Sequence, residues 1–397
     1  MILSQKAADI KPSSTLAITA KAKQMKADGI DVVGFGAGEP DFDTPDHIKA
    51  AAVKAMDDGF TKYTPASGIP ALKAAICKKL ADENGVTYAT NQIVVSNGAK
   101  HSLTNTFMAI LNPSDEVIIP GPFWLSYKQM VKIADGVPVI VRTKKENHYK
   151  ATIDELEGAL TNKTKALLIN SPSNPTGMVY TEEELREIAD FVVKHNLYVV
   201  SDEIYEKLIY GNEKHVSIAS FNEEIYKRTI MINGVSKTYA MTGWRIGYAA
   251  APADIAKIMS NIQSHASSNP NSLAQKAALA AISGPQECVQ MMKAAFNKRR
   301  DYMYERIAKM PYISAIKPQG AFYLFVDLDL ALGKSYKDEV IDDANTFAKL
   351  ILDDQKVAVV PCTDFGYSTH FRLSYASSME NIQKGLDRME AFLNNLQ

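Results

Sequence analysis

The stretch Thr229-Ile-Met-Ile-Asn-Gly-Val-Ser-Lys-Thr238 begins with a short apolar run and continues directly into a glycine-containing loop that carries a lysine. Five earlier runs have the same apolar, β-branched character: residues 92–96, 116–120, 138–142, 166–170 and 198–201. Longer stretches with helical periodicity separate these runs. This alternation predicts an α/β fold built on a mostly parallel, doubly wound sheet with helices on both faces.

One of the intervening helices has a clear start signal. Thr181 precedes three consecutive glutamates, residues 182–184. A threonine N-cap followed by acidic residues in the first turn is typical of a helix start, because both groups interact favourably with the free amides there. We therefore expect a helix from this point to about Lys194.

The string Ser283-Gly-Pro285 interrupts the α/β pattern. After it, a helical stretch at about 287–310, a strand pair and terminal helices indicate a separate α+β unit. We therefore predict a large domain of residues 46–283 and a small domain formed by residues 1–45 together with 284–397. The Gly/Pro-rich segment 34–45 is expected to lie with the C-terminal unit or in the cleft between the two.

Composition limits the classes of function. The 397-residue chain has 44 basic and 45 acidic residues, and no block of like charges that predicts nucleic-acid binding. Its three cysteines, Cys77, Cys288 and Cys362, have no metal-ligand spacing, so no metal site is expected. No signal peptide or membrane-spanning run is apparent. We expect a cytoplasmic protein whose partners are small molecules and copies of itself.

Three charged residues at strand ends match the needs of pyridoxal 5'-phosphate (PLP), which requires a lysine for a Schiff base, an acid at the pyridine nitrogen and a phosphate cradle. Lys237 follows the strand at 229–233, and Arg245, eight residues on, has a planar guanidinium suited to a phosphate. Asp202 closes the strand at 198–201. Each residue alone also fits an ordinary role, as a solvated lysine, a surface arginine or a helix-capping aspartate.

Polar and aromatic residues near the other strand ends complete this hypothesis. The string Ser96-Asn-Gly-Ala-Lys100 lies between a strand and a helix, where backbone amides and the helix dipole favour an anion. Asn174 and Tyr205 are placed to hydrogen-bond the phenolic oxygen of the cofactor, and Trp124 to stack on its ring. A proline-rich turn and core aromatic residues are the simpler alternatives. Of the two prolines flanking this turn, at 172 and 175, one is expected to follow a cis bond.

A dinucleotide-binding loop is a poor interpretation of Gly34-Phe-Gly-Ala-Gly38. The third glycine comes one position too early, and Pro40 blocks the helix that should follow. A Rossmann oxidoreductase is therefore not favoured.

Six strings in order resemble the class I (fold type I) PLP-dependent aminotransferases. They are Ala37-Gly-Glu-Pro-Asp-Phe42, Lys62-Tyr-Thr-Pro65, Ser173-Asn-Pro-Thr-Gly177, Ser201-Asp-Glu-Ile-Tyr205, Ser236-Lys-Thr238 and Gly243-Trp-Arg-Ile-Gly247. The resemblance runs from about Lys11 to the C-terminus. Within the family, the chain is most similar to the bacterial aspartate aminotransferases of the branch that lacks the distal-carboxylate arginine.

The resemblance implies the PLP-transferase fold type I, with a seven-stranded, mostly parallel sheet in the large domain. It implies a homodimer with shared active sites, in which Tyr63 reaches the phosphate of the neighbouring chain, and a reaction in two half-reactions. The implied catalytic residues are Lys237, Asp202 and Tyr205. The other implied cofactor contacts are Gly98, Ala99, Lys100, Trp124, Asn174, Ser236 and Arg245. The implied substrate contacts are Gly38, Lys100, Trp124, Asn174 and Arg372, of which Arg372 binds the α-carboxylate.

The resemblance also bears on the substrates, which are expected to be an amino acid and a 2-oxo acid, L-aspartate and 2-oxoglutarate first. The stretch 263–269 contains no arginine, and Lys100 with a hydroxyl near Ser13 to Thr15 is implied to read the distal carboxylate instead. A lysine at the position of Lys11 is implied to serve prephenate in some members. Aminotransferases for aromatic, alanine or branched-chain substrates and a PLP-dependent C–S lyase remain alternatives, and a PLP-binding transcriptional regulator is a weaker one.

Overall fold

The computed structural model of the chain describes Ser4, Ile10 and residues 14–397. The strands, in chain order, are β1 (Val33–Gly34), β2 (Ile93–Ser96), β3 (Glu116–Gly121), β4 (Val137–Arg142), β5 (Thr164–Asn170), β6 (Tyr198–Asp202), β7 (Thr229–Gly234), β8 (Gly247–Ala250), β9 (Ser314–Ala315), β10 (Tyr323–Asp327), β11 (Ser335–Tyr336), β12 (Glu339–Val340), β13 (Val357–Ala358), β14 (Val360–Pro361) and β15 (His370–Ser374).

The helices surround and connect these strands. They are α1 (Ser14–Ala27), α2 (Asp46–Asp57), α3 (Pro70–Asn84), α4 (Ala99–Ile110), α5 (Ser126–Ile133), α6 (Ile153–Gly158), α7 (Glu182–Lys194), α8 (Glu223–Tyr226), α9 (Ala253–Ala266), α10 (Ser272–Ser283), α11 (Glu287–Ile307), α12 (Ala344–Gln355) and α13 (Met379–Asn394).

A seven-stranded sheet in the order β2-β8-β7-β6-β5-β3-β4 forms the centre of the molecule. Six of its strands run parallel, and β8 is antiparallel to both of its neighbours. The apolar side chains of β2, β5 and β7 are buried on both faces, as expected for a sheet covered by helices. The predicted mostly parallel α/β sheet is confirmed, and the six predicted runs match β2 to β7 to within two residues.

The antiparallel strand β8 was not among the predicted runs. Its sequence, Gly-Tyr-Ala-Ala, has no β-branched residue, so its local composition does not favour a strand. Its backbone is instead held on both sides by β2 and β7, which is a tertiary effect.

Helix α7 begins as its sequence predicts. The Thr181 hydroxyl accepts a hydrogen bond from the Glu184 amide at 3.2 Å, and the Glu184 carboxylate accepts one from the Thr181 amide at 2.8 Å. This reciprocal pair satisfies two amides that would otherwise lack an acceptor.

A smaller antiparallel sheet in the order β14-β15-β10-β9 follows the long helix α11. It is larger than the strand pair predicted there. Phe322, Phe371 and Phe392 are fully buried in its apolar core. Strand β1 pairs with β13, and the Ser374 amide of β15 donates to the Phe35 carbonyl oxygen at 2.9 Å, so the residue that follows β1 contacts this sheet. The division into domains at residues 45/46 and 283/284 stays a prediction.

Three peptide bonds that precede a proline are cis in the described part of the chain. Both the Ser171–Pro172 and Asn174–Pro175 bonds are cis, where one was expected, and Gly121–Pro122 is cis as well. None of the helices in the described part of the chain is both long and apolar enough to span a bilayer.

Candidate active site

A cleft of about 340 Å³ opens at the carboxyl edge of the seven-stranded sheet, where the loops after β5, β6 and β7 meet α4 and β15. This is the edge at which open α/β sheets bind ligands. Eleven of the thirteen predicted site residues line it: Gly38, Ala99, Lys100, Trp124, Asn174, Asp202, Tyr205, Ser236, Lys237, Arg245 and Arg372. Residues from distant parts of the sequence, from Gly38 to Arg372, therefore meet at one place.

Lys237 lies on the loop between β7 and β8, with its ammonium directed into the cleft. Its Nζ donates a hydrogen bond to the Gly38 carbonyl oxygen at 2.5 Å. Burial lowers the pKa of Lys237 from 10.5 to about 8; the nearby Glu39 carboxylate opposes this shift, and the cations Arg245 and Arg372 contribute to it. A lysine with such a lowered pKa is a better amine nucleophile at neutral pH.

Asp202, at the end of β6, is 2% exposed. Burial raises the pKa of its carboxyl to about 6, although hydrogen bonds from the Tyr127 hydroxyl at 2.7 Å and the Ile204 amide at 3.2 Å oppose the shift. Tyr127 on α5 was not predicted as a site residue. Nothing in its local sequence distinguishes it from a core tyrosine, and only the fold brings it to Asp202.

The loop before α4 forms a cup for an anion beside Arg245. Gly98 has a φ of +86°, and a Cβ atom there would lie 2.4 Å from the Arg245 guanidinium. The first amides of α4 have no acceptor within the helix, so they are free to bind a negative group. Arg245 is held over this cup by a 2.7 Å hydrogen bond from its Nη1 to the Thr242 carbonyl oxygen. Gly98 itself lies behind the cleft lining, in contact with Arg245.

Arg372, on β15, is 2% exposed and lines the same cleft. Its Nη1 donates to Asn174 Oδ1 at 2.8 Å and its Nη2 to the Gly36 carbonyl oxygen at 3.3 Å. Its Nε has no hydrogen-bond partner among the described residues. A buried arginine with an unused donor beside a cleft is suited to a ligand carboxylate.

Tyr323, on β10, is a second residue that the sequence did not reveal. Its ring lies 4.2 Å from the Arg372 guanidinium, and its hydroxyl is 3.0 Å from the Tyr205 hydroxyl. This contact joins β10, which pairs with the strand that carries Arg372, to the loop that follows Asp202. The partners are 118 positions apart, and no motif links them.

Lys100 and Trp124 form the outer wall of the cleft. The Lys100 ammonium lies 4.8 Å from the centre of the Trp124 ring, a cation–π geometry. Partial burial and the neighbouring Arg245 lower the pKa of Lys100. This wall therefore presents a positive charge to whatever enters the cleft.

The remaining predicted residues lie elsewhere. Tyr63 is 91% exposed and does not line the cleft of its own chain. Lys11 and Ser13 lie outside the described residues, and of Ser14 and Thr15 only the backbone is described. All three cysteines are free thiols.

The donor set of this cleft fits PLP. Three features line one cleft: a cationic cup, a buried carboxyl group and a lysine of lowered pKa. They suit, in that order, the phosphate, the ring nitrogen and the aldehyde of the cofactor. Residues 30–389 match the family described as aminotransferase class I and II. The chain belongs to this family. It is a PLP-dependent aminotransferase with the fold type I architecture.

This aminotransferase is similar to characterised relatives over its whole length. It is 50% identical to the aspartate aminotransferase of Geobacillus stearothermophilus over 99% of each chain, and 46% identical to the aspartate/prephenate aminotransferase of Cereibacter sphaeroides over 98% of each. The crystal structure of the aspartate aminotransferase from Rhizobium meliloti is 40% identical and covers 100% of both chains, with a TM-score of 0.96.

Proposed function

We propose that this aminotransferase moves the amino group of L-aspartate to 2-oxoglutarate through PLP in two half-reactions. The observation that carries the proposal is the arrangement of three cations around one cleft: Lys237 at its base, Arg372 on one wall and Lys100 on another. A dicarboxylate needs two positive groups beyond the reacting centre, and the cleft has both. The 50% identical Geobacillus enzyme, named aspartate aminotransferase, supports the same conclusion.

PLP, when bound, supplies an electron sink that stabilises negative charge at the substrate Cα. The amides at the start of α4 and the Arg245 guanidinium hold its phosphate, and Ser236 lies at the edge of this cup. Asp202 would pair with the ring nitrogen and keep it protonated, an electrostatic role that its burial strengthens. Asn174 and Tyr205 would donate to the phenolic oxygen, and Trp124 would pack on the ring.

Lys237 has two tasks in this proposal. Its amine would hold PLP through the cofactor aldehyde, and when released by the incoming substrate it would accept the proton from the substrate Cα and give it back in the second half-reaction. The lowered pKa of Lys237 suits this exchange, because the amine accepts and releases a proton near neutral pH.

The two carboxylates of aspartate bind at opposite walls. Arg372 takes the α-carboxylate with its fork, and Asn174 and the Gly38 backbone complete that side. Lys100 takes the distal carboxylate, because it is the cation on the outer wall and its ammonium is fixed over Trp124. A hydroxyl group near Ser13 to Thr15 assists Lys100 in this proposal, and Lys11 serves prephenate if that substrate is accepted.

The assembly and location complete the proposal. We infer a cytoplasmic homodimer in which the exposed Tyr63 completes the phosphate site of the neighbouring chain, since a tyrosine that is 91% exposed in one chain is available to a partner. The domain division at residues 46–283 belongs to the same proposal.

The direct test is the absorption spectrum of the purified protein, followed during addition of L-aspartate and then 2-oxoglutarate. The band of the lysine-bound cofactor should disappear with aspartate and return with 2-oxoglutarate. A band that persists in aspartate but disappears with another amino acid would overturn the substrate assignment. The absence of any band after PLP is added would overturn the role of Lys237.

Lys100→Ala tests the distal-carboxylate assignment. It should lower the rate of the half-reaction with L-aspartate by about tenfold or more, the contribution of one charge-assisted contact, and leave the rate with L-alanine unchanged. Lys128→Ala is the matched control, because Lys128 also lies over an aromatic ring, at 5.2 Å from Phe123, but outside the cleft lining. Equal losses with both amino acids would exclude Lys100 as the distal-carboxylate group. Adding prephenate as the amino acceptor distinguishes an aspartate-only enzyme from one of dual activity.

A further inference from the structure

The loop that carries Tyr63 contains no helix or strand. Residues 61–69 form the part of the connection between α2 and α3 that leads into α3, and within this loop Gly68 donates to the Pro65 carbonyl oxygen at 2.9 Å. Tyr63 at its tip is 91% exposed. A loop of this kind is ordinarily mobile unless other parts of the protein hold it.

Gln263 on α9 holds this loop through a side-chain hydrogen bond to its backbone. Its side chain is fully buried, and its Nε2 donates to the Ala66 carbonyl oxygen at 2.6 Å and to the Val95 carbonyl oxygen at 2.8 Å. Its Oε1 accepts from the Ser96 hydroxyl at 2.6 Å and from Asn105 at 2.9 Å. These four bonds use the full capacity of the amide.

The partners of Gln263 belong to two different functional segments. Ala66 lies in the Tyr63 loop, whereas Val95 and Ser96 lead directly into the phosphate cup before α4. The two segments also touch, since the Val95 amide donates to the Ser67 carbonyl oxygen at 3.0 Å, and a Cβ on Gly68 would lie 2.7 Å from the Val95 side chain. Gln263 therefore fixes the loop and the cup relative to each other.

Gln275 on α10 is a second fully buried amide directed at the same loop. Its Oε1 accepts from the Ile69 amide at 2.8 Å, and its Nε2 donates to the Thr64 hydroxyl at 3.0 Å and to the Pro270 carbonyl oxygen at 2.9 Å. Thr64 is the residue next to Tyr63. The bonds from Gln275 thus reach the loop at two points, on either side of residues 65–68.

We propose that Gln263 and Gln275 are positioning residues for cofactor binding at two active sites at once. Gln263 holds the segment that leads into the phosphate cup of its own chain, and both residues hold the loop of residues 61–69, which presents Tyr63 to the phosphate bound by the partner. The inference rests on the proposed function, namely the phosphate site and the homodimer. It explains why two neutral, hydrogen-bonded amides are buried on α9 and α10 at this place: each connects segments that share no secondary structure.

The test uses the full-length dimer, stripped of cofactor and titrated separately with PLP and with pyridoxal, which lacks the phosphate. Gln263→Leu should weaken PLP binding by about tenfold, the contribution of one hydrogen bond to a phosphate, and leave pyridoxal binding unchanged. Equal weakening of both ligands would assign Gln263 a general structural role and overturn the inference.

Tyr63→Phe separates this inference from its premise. It should weaken PLP binding by about tenfold, and the double variant with Gln263→Leu should weaken it by less than the product of the two single effects, because Gln263 acts through Tyr63. A fully multiplicative double variant would overturn the inference alone. A Tyr63→Phe dimer with unchanged PLP affinity would remove the premise, and with it both the partner-chain role of Tyr63 and the inference.

Two further variants keep the test decisive if Gln263→Leu does not fold. Thr64→Val is nearly isosteric and removes the hydroxyl that accepts from Gln275, so it should weaken PLP binding by about threefold without affecting pyridoxal. An unchanged PLP affinity in a folded Thr64→Val dimer would contradict the role of Gln275. Asp343→Ala is the control for lost stability, because it removes the cap of α12, outside the cleft, and should leave both affinities unchanged.

Discussion

Replacing Arg372 with lysine keeps the positive charge at the proposed α-carboxylate site but removes the planar fork. In the structure, the fork donates to Asn174 at 2.8 Å and to the Gly36 carbonyl oxygen at 3.3 Å, with Nε left for a ligand. A lysine ammonium is a point charge that cannot serve these acceptors and bind a carboxylate in a bidentate manner. At least one charge-assisted hydrogen bond is lost, which costs about 1.5–3 kcal/mol.

This loss corresponds to a decrease in kcat/KM for L-aspartate of roughly 10- to 150-fold. The assay is the initial rate with L-aspartate and 2-oxoglutarate, together with a PLP titration of the same protein. The affinity for PLP should be unchanged, because Arg372 donates to Asn174 and Gly36 and makes no contact with the phosphate cup before α4.

Arg300→Lys provides the matched control for Arg372→Lys. Arg300 is also buried, at 7% exposure, and donates to the Pro318 carbonyl oxygen and to Asp301, but it does not line the cleft. Its substitution should affect thermal stability and leave kcat/KM unchanged. A kcat/KM in Arg372→Lys within about threefold of the wild type would refute the assignment of Arg372 to the α-carboxylate, since less than one hydrogen bond would have been lost.

Three further outcomes are expected. Tyr127→Phe removes a hydrogen bond that stabilises the Asp202 carboxylate, so the pKa of this carboxyl should rise above about 6. The affinity for PLP should then fall more at pH 6 than at pH 8. A loss of affinity of equal size at both pH values would argue against this role of Tyr127. The lowering of the Lys237 pKa from 10.5 to about 8 increases the fraction of neutral amine at pH 7 by roughly 300-fold. The rate at which PLP attaches to the cofactor-free protein should therefore increase with pH and level off above about 8. An increase that continues to pH 10 would contradict the lowered pKa. Thr181→Ala removes the cap of α7 and should lower the free energy of unfolding by about 1 kcal/mol, measured by urea denaturation, while transamination stays unchanged.

The sequence was most informative where local chemistry determines the structure. The runs that became β2 to β7 are apolar and β-branched, and the start of α7 depends on contacts between residues three positions apart. Both signals lie within a few neighbouring residues. In the same way, Lys237, Asp202 and Asn174 were predicted as site residues because each directly follows such a strand.

Residues whose position depends on distant contacts could not be predicted. Tyr127 reaches Asp202 across 75 positions, and Tyr323 reaches Tyr205 across 118. Gln263 lay in a stretch noticed only for its lack of arginine, yet its partner Ala66 is 197 positions away. Strand β8 has the same explanation, because it is formed by its neighbours and not by its own residues.

The antiparallel pairing of β8 with β7 also sets the distance between Lys237 and the phosphate cup. The chain leaves the sheet after Gly234 and re-enters it at Gly247, and these two glycines pair with each other. A Cβ on Gly247 would lie 2.2 Å from the Ala99 amide nitrogen, so the backbone of this loop rests directly on the start of α4. Lys237 and Arg245 therefore share one short loop that is fixed at both ends against the phosphate cup. The loop therefore keeps a constant distance between the lysine and the phosphate. A single residue inserted within 235–246 would misplace the lysine relative to the cup, whereas an insertion in a loop that contacts neither would leave this distance unchanged.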